Sequence, residues 1–491
     1  MKRKIVSCLL VCILPFGVWA QQDREITLNE AIALARVQSV DAAVALNELK
    51  TAYWEYRTYR ADLLPEVNFA GTLPSYNKSY NAYQQSDGSY TFVRNNNIEL
   101  SGELSIDQSI WLTGGTLSLT SSIDYLKQLG AGGSKQFMSV PIAVKLNQPV
   151  FGVNQAKWNR RIEPVRYAEA KAAFISATEE VTMKTITYFF QLLLAKEGLA
   201  TEKQNRENAE KLYEVAKAKR QMGQISENDL LQLKLSALQA KAAVTENESN
   251  LNAKMFQLRS FLGLSEDQVL QPVIPQSVPE VDIAYSSVLD KAQTNNSFAQ
   301  NVRRRQLQAD YDVAVSKGNL RSVNLFANIG YAGRDKDFSS AYENLLNNQV
   351  VEVGVKIPLL DWGKRRGKVK VAQSNREVVQ SRLRQEQMNF NQNIFLLVAN
   401  FNNQAAQLAI ADEADAIAQK RYKSSIETFL IGKINTLDLN DAQNSKDQAR
   451  QKYISEMYYY WHYFYQIRSL TLWDYEKNSE LQVDFEEVVR R

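Results

Sequence analysis

The sequence predicts an exported α+β protein built from two structural repeats. Three observations support this prediction: most of the chain is duplicated, two stretches without proline are long enough for exceptionally long helices, and segments with one apolar face separate the helices. The composition, 45% hydrophobic and 23% charged, would also suit an ordinary globular protein. The repeat and the periodicity therefore carry the prediction.

The duplication is the clearest feature of the chain. An offset of 209 residues superimposes 209–263 on 418–472 without a gap. The matched pairs include Tyr213/Tyr422, Gly223/Gly432, Ile225/Ile434, Asp229/Asp438, Ser236/Ser445 and Gln257/Gln466. Earlier in each half the offset is 256 to 258, so the first half is larger by about 47 residues. We predict a first repeat over 21–282, a second over 283–472 and a tail over 473–491.

The N-terminus has the features of an export signal. Three basic residues precede an apolar run over 5–18, and Val18 and Ala20 fit a signal peptidase site. We expect residues 1–20 to be removed. Cys8 faintly resembles a lipoprotein site, an alternative that the short apolar segment before it disfavours. Cleavage would remove Cys12 as well, which leaves no thiol in the mature chain.

The remaining composition argues against nucleic-acid binding and catalysis. After cleavage, 55 basic residues (58 less three) face 54 acidic ones, a net charge near +1. No phosphate-binding loop, metal-ligand cluster or nucleophile motif is present. The single histidine, His462, lies in an aromatic run that we expect to be packed. We predict neither enzymatic activity nor a cofactor.

Long helices are predicted where proline is absent, between Pro164 and Pro272 and after Pro358. The stretch from Asn154 to Met222 would form a helix of roughly 100 Å at 1.5 Å per residue. Glycine turns at Gly223 and Gly432 would end the long helices. Shorter helices would return over 226–262 and 435–472, and further helices over 27–64 and 283–320 would complete the layer.

Between the short and long helices the apolar period changes to two, as in half-exposed strands. Such segments occur at 67–73, 140–146, 323–331 and 351–357. They suit a transmembrane β-barrel, although a soluble sandwich has the same pattern. The polar stretches 74–97 and 333–349 would be extracellular loops. An additional apparent hairpin, 98–106 with 117–125, would either join the barrel or pack outside it.

Together these elements resemble the TolC-type outer membrane factors of bacterial efflux and type I secretion systems. The glycine followed six residues later by aspartate, at Gly223/Asp229 and Gly432/Asp438, matches that family's turns. The resemblance implies a trimeric transmembrane β-barrel continued by a long periplasmic α-helical barrel. It also implies a location in the outer membrane, extending into the periplasm.

The resemblance further implies that Asp438 and Asp441 line the narrowest point of the tunnel. Their spacing of three places both carboxylates on one helix face, although solvated acids at a helix start would look the same. The tips around Gly223, Asp229 and Gly432 would contact an adaptor. The family's latch tyrosine and arginine are replaced by Phe429 and Ile434, so the usual latch cannot form.

The implied partners are two further copies of the chain, outer membrane lipid, a periplasmic adaptor protein and an inner-membrane RND or ABC transporter. Lys217, Lys219 and Arg220 would contact the adaptor or carry solvated helix-end charge. A periplasmic adaptor or a coiled-coil structural protein is the alternative. An adaptor should show one hairpin flanked by compact β-domains, whereas this chain predicts two hairpins and paired strands.

Overall fold

The structure is a computed structural model that describes residues 22–130, 133–265, 267–279, 281–320, 322–356, 360–431, 433–481 and 483–490. The predicted export signal lies outside the described residues, as do Gly432 and Pro358. The elements of the first half are β1 Gln22–Ile26, α1 Leu28–Gln38, α2 Val40–Ala61, β2 Glu66–Gln84, β3 Tyr90–Ile110, β4 Gly115–Gln128, β5 Lys135–Pro149, α3 Gln155–Gln221, α4 Glu227–Phe261 and β6 Gln268–Pro272.

The second half repeats this order without the additional hairpin. Its elements are α5 Tyr285–Asn295, α6 Ser297–Gly318, β7 Ser322–Asp335, a 3-10 turn at Ser340–Tyr342, β8 Leu345–Lys356, α7 Lys364–Leu430 and α8 Thr436–Thr471. The tail contains β9 Trp473–Asp474, β10 Ser479–Glu480 and α9 Phe485–Arg490.

The two long helices agree closely with the predicted length. α3 and α7 each contain 67 residues, about 100 Å of helix. α3 begins where the Asn154 side chain caps it by accepting the Lys157 N–H at 2.9 Å. α7 has one 18-residue window, of mean hydropathy 1.2, that would by composition suit a membrane span. Buried α7 residues such as Phe401 nevertheless pack into the protein core, as expected of a long core helix.

The helices expected over 27–64 and 283–320 are each broken in two, which the sequence did not predict. Ser39 ends α1 and caps α2 by accepting the Ala42 N–H at 3.1 Å. Asn296 does the same between α5 and α6, accepting the Phe298 N–H at 2.8 Å. Both residues have extended backbones, and side-chain caps of this kind compete with helix continuation. The breaks lie 257 residues apart, so they belong to the repeat.

The main core lies midway along the long helices α3 and α7, where the shorter elements pack against them. It is one cluster formed by α1, α3, α4, α5, α7 and α8 together with the parallel β1–β6 pair. The aromatic run around His462 belongs to it, and Tyr460, Phe464 and Tyr465 are buried. The strands and the hairpin ends at Gly223 and Lys433 therefore occupy opposite ends of an elongated protomer.

Among the described residues, the strands beyond the short helices form one antiparallel sheet in the order β2-β3-β4-β5-β7-β8. The additional hairpin is β3 with β4, and it lies within this sheet. The segment 74–97, expected to be a loop, is mostly a hairpin: β2 and β3 stay paired from Ser75↔Glu99 to Gln84↔Tyr90. Its polar side chains hid the strand period, and Pro74 lies at a register shift on an edge strand, where proline is tolerated.

Candidate functional site

The turn that joins α3 to α4 forms the first tip. The Gln224 N–H donates to Lys219 O at 2.9 Å, and the Gly223 N–H donates to Arg220 O at 3.0 Å. This is the Schellman arrangement, which requires a left-handed residue after the helix. Gly223 supplies it with φ +71°, and a Cβ there would meet open space. Glycine is needed at this position for its backbone rather than for close packing.

The next residues start the returning helix. Ser226 caps α4 and Asp229 completes a capping box, because each side chain bonds to the other residue's backbone N–H, at 3.1 and 3.3 Å. Asn435 and Asp438 repeat the box on α8 at 2.9 and 3.4 Å. The glycine-to-aspartate spacing of six therefore combines a helix stop, a cap three residues later and a carboxylate three residues after that.

The second tip has the same geometry where it is described. The Lys433 N–H donates to Thr428 O at 3.1 Å, the bond equivalent to that of Gln224. Gly432 itself lies outside the described residues, so its predicted role remains a prediction. Four apolar side chains at the two tips are largely exposed: Met222 63%, Leu430 46%, Ile431 68% and Leu437 70%.

Asp438 and Asp441 are both exposed on the first turns of α8, but they have different partners. Asp438 holds the capping box. Asp441 accepts from Arg421 Nη2 of α7 at 2.6 Å, and Arg421 Nη1 also donates to Ser445 Oγ at 3.2 Å. One of the two candidate tunnel carboxylates is thus neutralised within its own protomer.

The latch-position residues Phe429 and Ile434 lie in an apolar contact. They pack, partly buried, against a small cluster of Tyr422, Leu439 and Ala442, which is separate from the main core. Leu212 of α3 and Ile426 of α7 join the same cluster. It therefore fastens the second hairpin to the first near the tips.

The basic residues near the first tip mainly make local contacts. Lys219 Nζ lies 5.9 Å from the Phe429 ring centroid and within 3.5 Å of Leu430 O. Lys217 lies 3.7 Å from Glu214, and Arg220 lies 3.9 Å from Glu227. Of these three residues, Lys219 contacts the second tip, through Phe429 and Leu430 of α7.

A polar interface between α3 and the second hairpin was not predicted. Asn205, which is buried, donates to Asp447 at 2.9 Å, and Asn208 donates to the Tyr422 hydroxyl at 3.1 Å. Burial raises the pKa of Tyr422 above its ordinary value, and the hydrogen bond from Asn208 offsets part of this rise. The spacing of Asn205 and Asn208 could have predicted this interface, because residues three apart on a helix place both amides on one face of α3.

Among the described residues, no group of three or more His, Cys, Asp or Glu side chains is positioned to hold a metal ion. The His462 ring lies 5.5 Å from that of Tyr458. Burial lowers the pKa of His462, as expected of a packed, neutral imidazole.

Comparisons with known proteins agree with this architecture. The sequence profile of the outer membrane efflux protein family matches residues 31–264 and 288–460. The Campylobacter jejuni CmeC outer membrane channel is similar in structure, with a TM-score of 0.65 at 16% identity over 94% of this chain and 88% of that one. No curated protein sequence is significantly similar to this chain.

Two other solved structures show the same fold. The outer membrane protein VceC from Vibrio cholerae has a TM-score of 0.62 at 14% identity, over 93% of this chain and 97% of that one. The open state of the Neisseria gonorrhoeae MtrE outer membrane channel has a TM-score of 0.58 at 12% identity, over 90% and 88%. The predicted fold class, a trimeric β-barrel continued by a periplasmic helical tunnel, is confirmed. The chain belongs to the outer membrane efflux protein family: it is an outer membrane efflux channel and not an enzyme.

Proposed function

We propose that this channel is the exit duct of a tripartite efflux or type I secretion system. Three copies would receive small molecules or proteins from an inner-membrane RND or ABC transporter through a periplasmic adaptor. One observation carries the proposal: the long helices of the two hairpins, α3 and α7, each span about 100 Å, and their far ends meet where Lys219 contacts Phe429 and Leu430. Such length suits a duct that reaches across the periplasm.

The adaptor would bind the tips that contain Gly223, Asp229 and Gly432. The exposed side chains of Met222, Ile431 and Leu437 support this proposal, because large apolar groups exposed at the ends of the hairpins favour a protein partner over solvent. Phe429 and Ile434 would set the shape of this surface from beneath, through the small apolar cluster. Asp229 would contribute indirectly, by holding the first turn of α4 in place.

The constriction would lie at Asp438 and Asp441, one turn above the tips. Threefold symmetry would convert each residue into a ring of three carboxylates, and charged rings of this kind control ion passage in narrow pores. Because Arg421 pairs with Asp441, the Asp438 ring would carry most of the uncompensated charge.

Site-specific photocrosslinking tests the docking proposal. A photoreactive amino acid would replace Gln224 or Lys433, beside the two glycine turns, in cells that express the native pump systems. We expect a crosslinked band containing a periplasmic adaptor, and mass spectrometry of co-purified proteins would identify the transporter. Glu248, exposed halfway along α4, is the matched control. Equal crosslinking from Glu248, or no adaptor from either tip, would reject docking at the tips.

A further inference from the structure

We propose that the β3–β4 hairpin is part of the pore wall, so that three copies close an eighteen-stranded barrel whose lumen this hairpin lines with carboxylates. The inference rests on the trimeric barrel of the family fold. It does not depend on the proposed pump or adaptor, so a failed crosslink at the tips would leave it standing.

The hydrogen-bond ladder places the hairpin inside the sheet. β3 pairs with β2 along one edge, from Glu66↔Asp107 onward, and with β4 along the other, from Asn97↔Gln128 to Ile110↔Gly115. β4 then pairs with β5, and β5 pairs with β7. Within the described residues, the sheet ends at β2 and β8. A hairpin packed outside the barrel would instead leave β2 paired with β5.

The two faces of the sheet continue through the hairpin without interruption. One row of paired positions crosses five strands with apolar side chains: Val67, Ile106, Leu119, Val144 and Ile329. All five are exposed, from 37% to 65%, as side chains that face lipid would be in a single protomer.

The neighbouring row is polar over the same strands. It runs through Glu66, Asp107, Ser118, Lys145 and Asn328. Strands that belonged to a separate structure would have no reason to keep this alternation in register with the rest of the wall.

The free edges suit closure by further copies of the chain. β2 and β8 each present a row of backbone groups that lipid cannot satisfy, so a membrane sheet must pair them. Pairing β2 of one copy with β8 of the next gives three times six strands, or eighteen. If the β3–β4 hairpin lay outside the wall, each copy would contribute four strands and the barrel would have twelve. With strands about 4.8 Å apart and tilted by about 40°, eighteen strands close at a diameter of about 36 Å and twelve strands at about 24 Å.

The hairpin also determines the charge of the lumen. On its polar face β3 carries Glu99, Glu103 and Asp107, and β4 carries Asp124. Lys145 of β5 lies 3.5 Å from Glu103 and offsets part of this charge. The wider exit would therefore concentrate cations and disfavour anions.

Two adjacent cysteines test the position of the hairpin. The expected mature chain contains no thiol, so Ser118→Cys and Leu119→Cys would each introduce a single one. In purified trimers in lipid, a spin label at 118 should be accessible to a polar relaxation agent and one at 119 to oxygen. The thiol at 118 should also react several-fold faster with a cationic reagent than with an anionic one, and Glu103→Gln should reduce that preference. Polar accessibility at both positions would place the hairpin outside the wall.

A distance measurement tests the strand number independently. Spin labels at Ile329→Cys, on β7 outside the hairpin, form an equilateral triangle in the trimer. The backbone separation should be about 30 Å for eighteen strands and about 20 Å for twelve. The shorter distance would overturn the proposal even if the labels on the hairpin behave as expected. Trimers that resist dissociation in detergent until heated would confirm that each variant has folded.

Discussion

The carboxylate of Asp441 lies 2.6 Å from the guanidinium of Arg421, and both residues occupy positions where the two repeats differ. Leu212 corresponds to Arg421 in the first repeat, and Gln232 corresponds to Asp441. The salt bridge therefore arose in one hairpin only. Both side chains are more than half exposed, so the pair contributes little to stability and matters mainly for local charge.

Replacement of both Asp438 and Asp441 by Asn should raise single-channel conductance and weaken block by divalent cations. We expect the block to weaken by about tenfold, the factor that corresponds to a loss of about 1.4 kcal/mol in binding. Planar bilayer recordings would measure both quantities. Asp229→Asn is the matched control, because it changes the equivalent capping box in the first repeat. Unchanged conductance and block in the double variant would exclude a throat at these residues.

Arg421→Gln should act in the opposite direction. Loss of the guanidinium would leave Asp441 uncompensated, so divalent cations should block the channel more tightly than in the wild type. Addition of Asp441→Asn to this variant should cancel the effect, which makes a double-mutant cycle in bilayer recordings the decisive measurement. Block that stays as tight in the double variant as in Arg421→Gln alone would show that Asp441 does not act at the constriction.

Phe429→Ala should loosen the contact between the two tips. The ring is only partly buried, so we expect a loss of about 1–3 kcal/mol, below the ~3–5 kcal/mol of a fully buried phenylalanine. Hydrogen exchange at the ends of α3 and α7 should accelerate, and the channel should open more often in bilayers. Phe429→Leu, which preserves an apolar contact, is the control. If both variants behave like the wild type, the small apolar cluster does not restrain opening.

The Glu179 carboxylate is 2% exposed in the main core, between Arg36 at 2.8 Å and Arg468 at 3.3 Å. Burial raises the pKa of Glu179 above its ordinary value of 4.5, and the two arginines offset this only in part. The folded protein thus holds the proton more tightly than the unfolded chain does. This contribution to stability is complete below pH 4.5 and is lost as the pH rises through the raised pKa.

Glu179→Gln cannot ionise, so its thermal stability relative to the wild type should increase as the pH rises from 4.5 through the raised pKa of Glu179. The midpoint of heat dissociation of the trimer, measured across this range, tests the expectation. Glu180→Gln, exposed on the same helix, should show no such trend. A parallel pH dependence of wild type and Glu179→Gln would mean that the arginines fully offset burial, and a relative loss of stability with rising pH would mean that they outweigh it.

Features set by local chemistry were predictable from the sequence. Gly223 requires a left-handed backbone, and Asp229 and Asp438 each stand three residues after a capping side chain, so both turns followed from spacing alone. The length of α7 followed from the absence of proline, whereas α3 begins ahead of Pro164 and continues through it. The breaks at Ser39 and Asn296 were missed because serine and asparagine can also continue a helix, and a cap forms only where the backbone is free to extend.

The family resemblance implied the outer-membrane fold class, and the duplicated sequence by itself determined the two repeats, the long hairpins and the turns between their helices. These depend on periodicity and on residues that bond to near neighbours. Tertiary structure alone decided that the β3–β4 hairpin lies within the sheet, that Arg421 neutralises Asp441, and that Phe429 shares an apolar cluster with Leu212 of α3. Each of these contacts joins segments on different elements, and a single sequence carries no record of which distant side chains will meet.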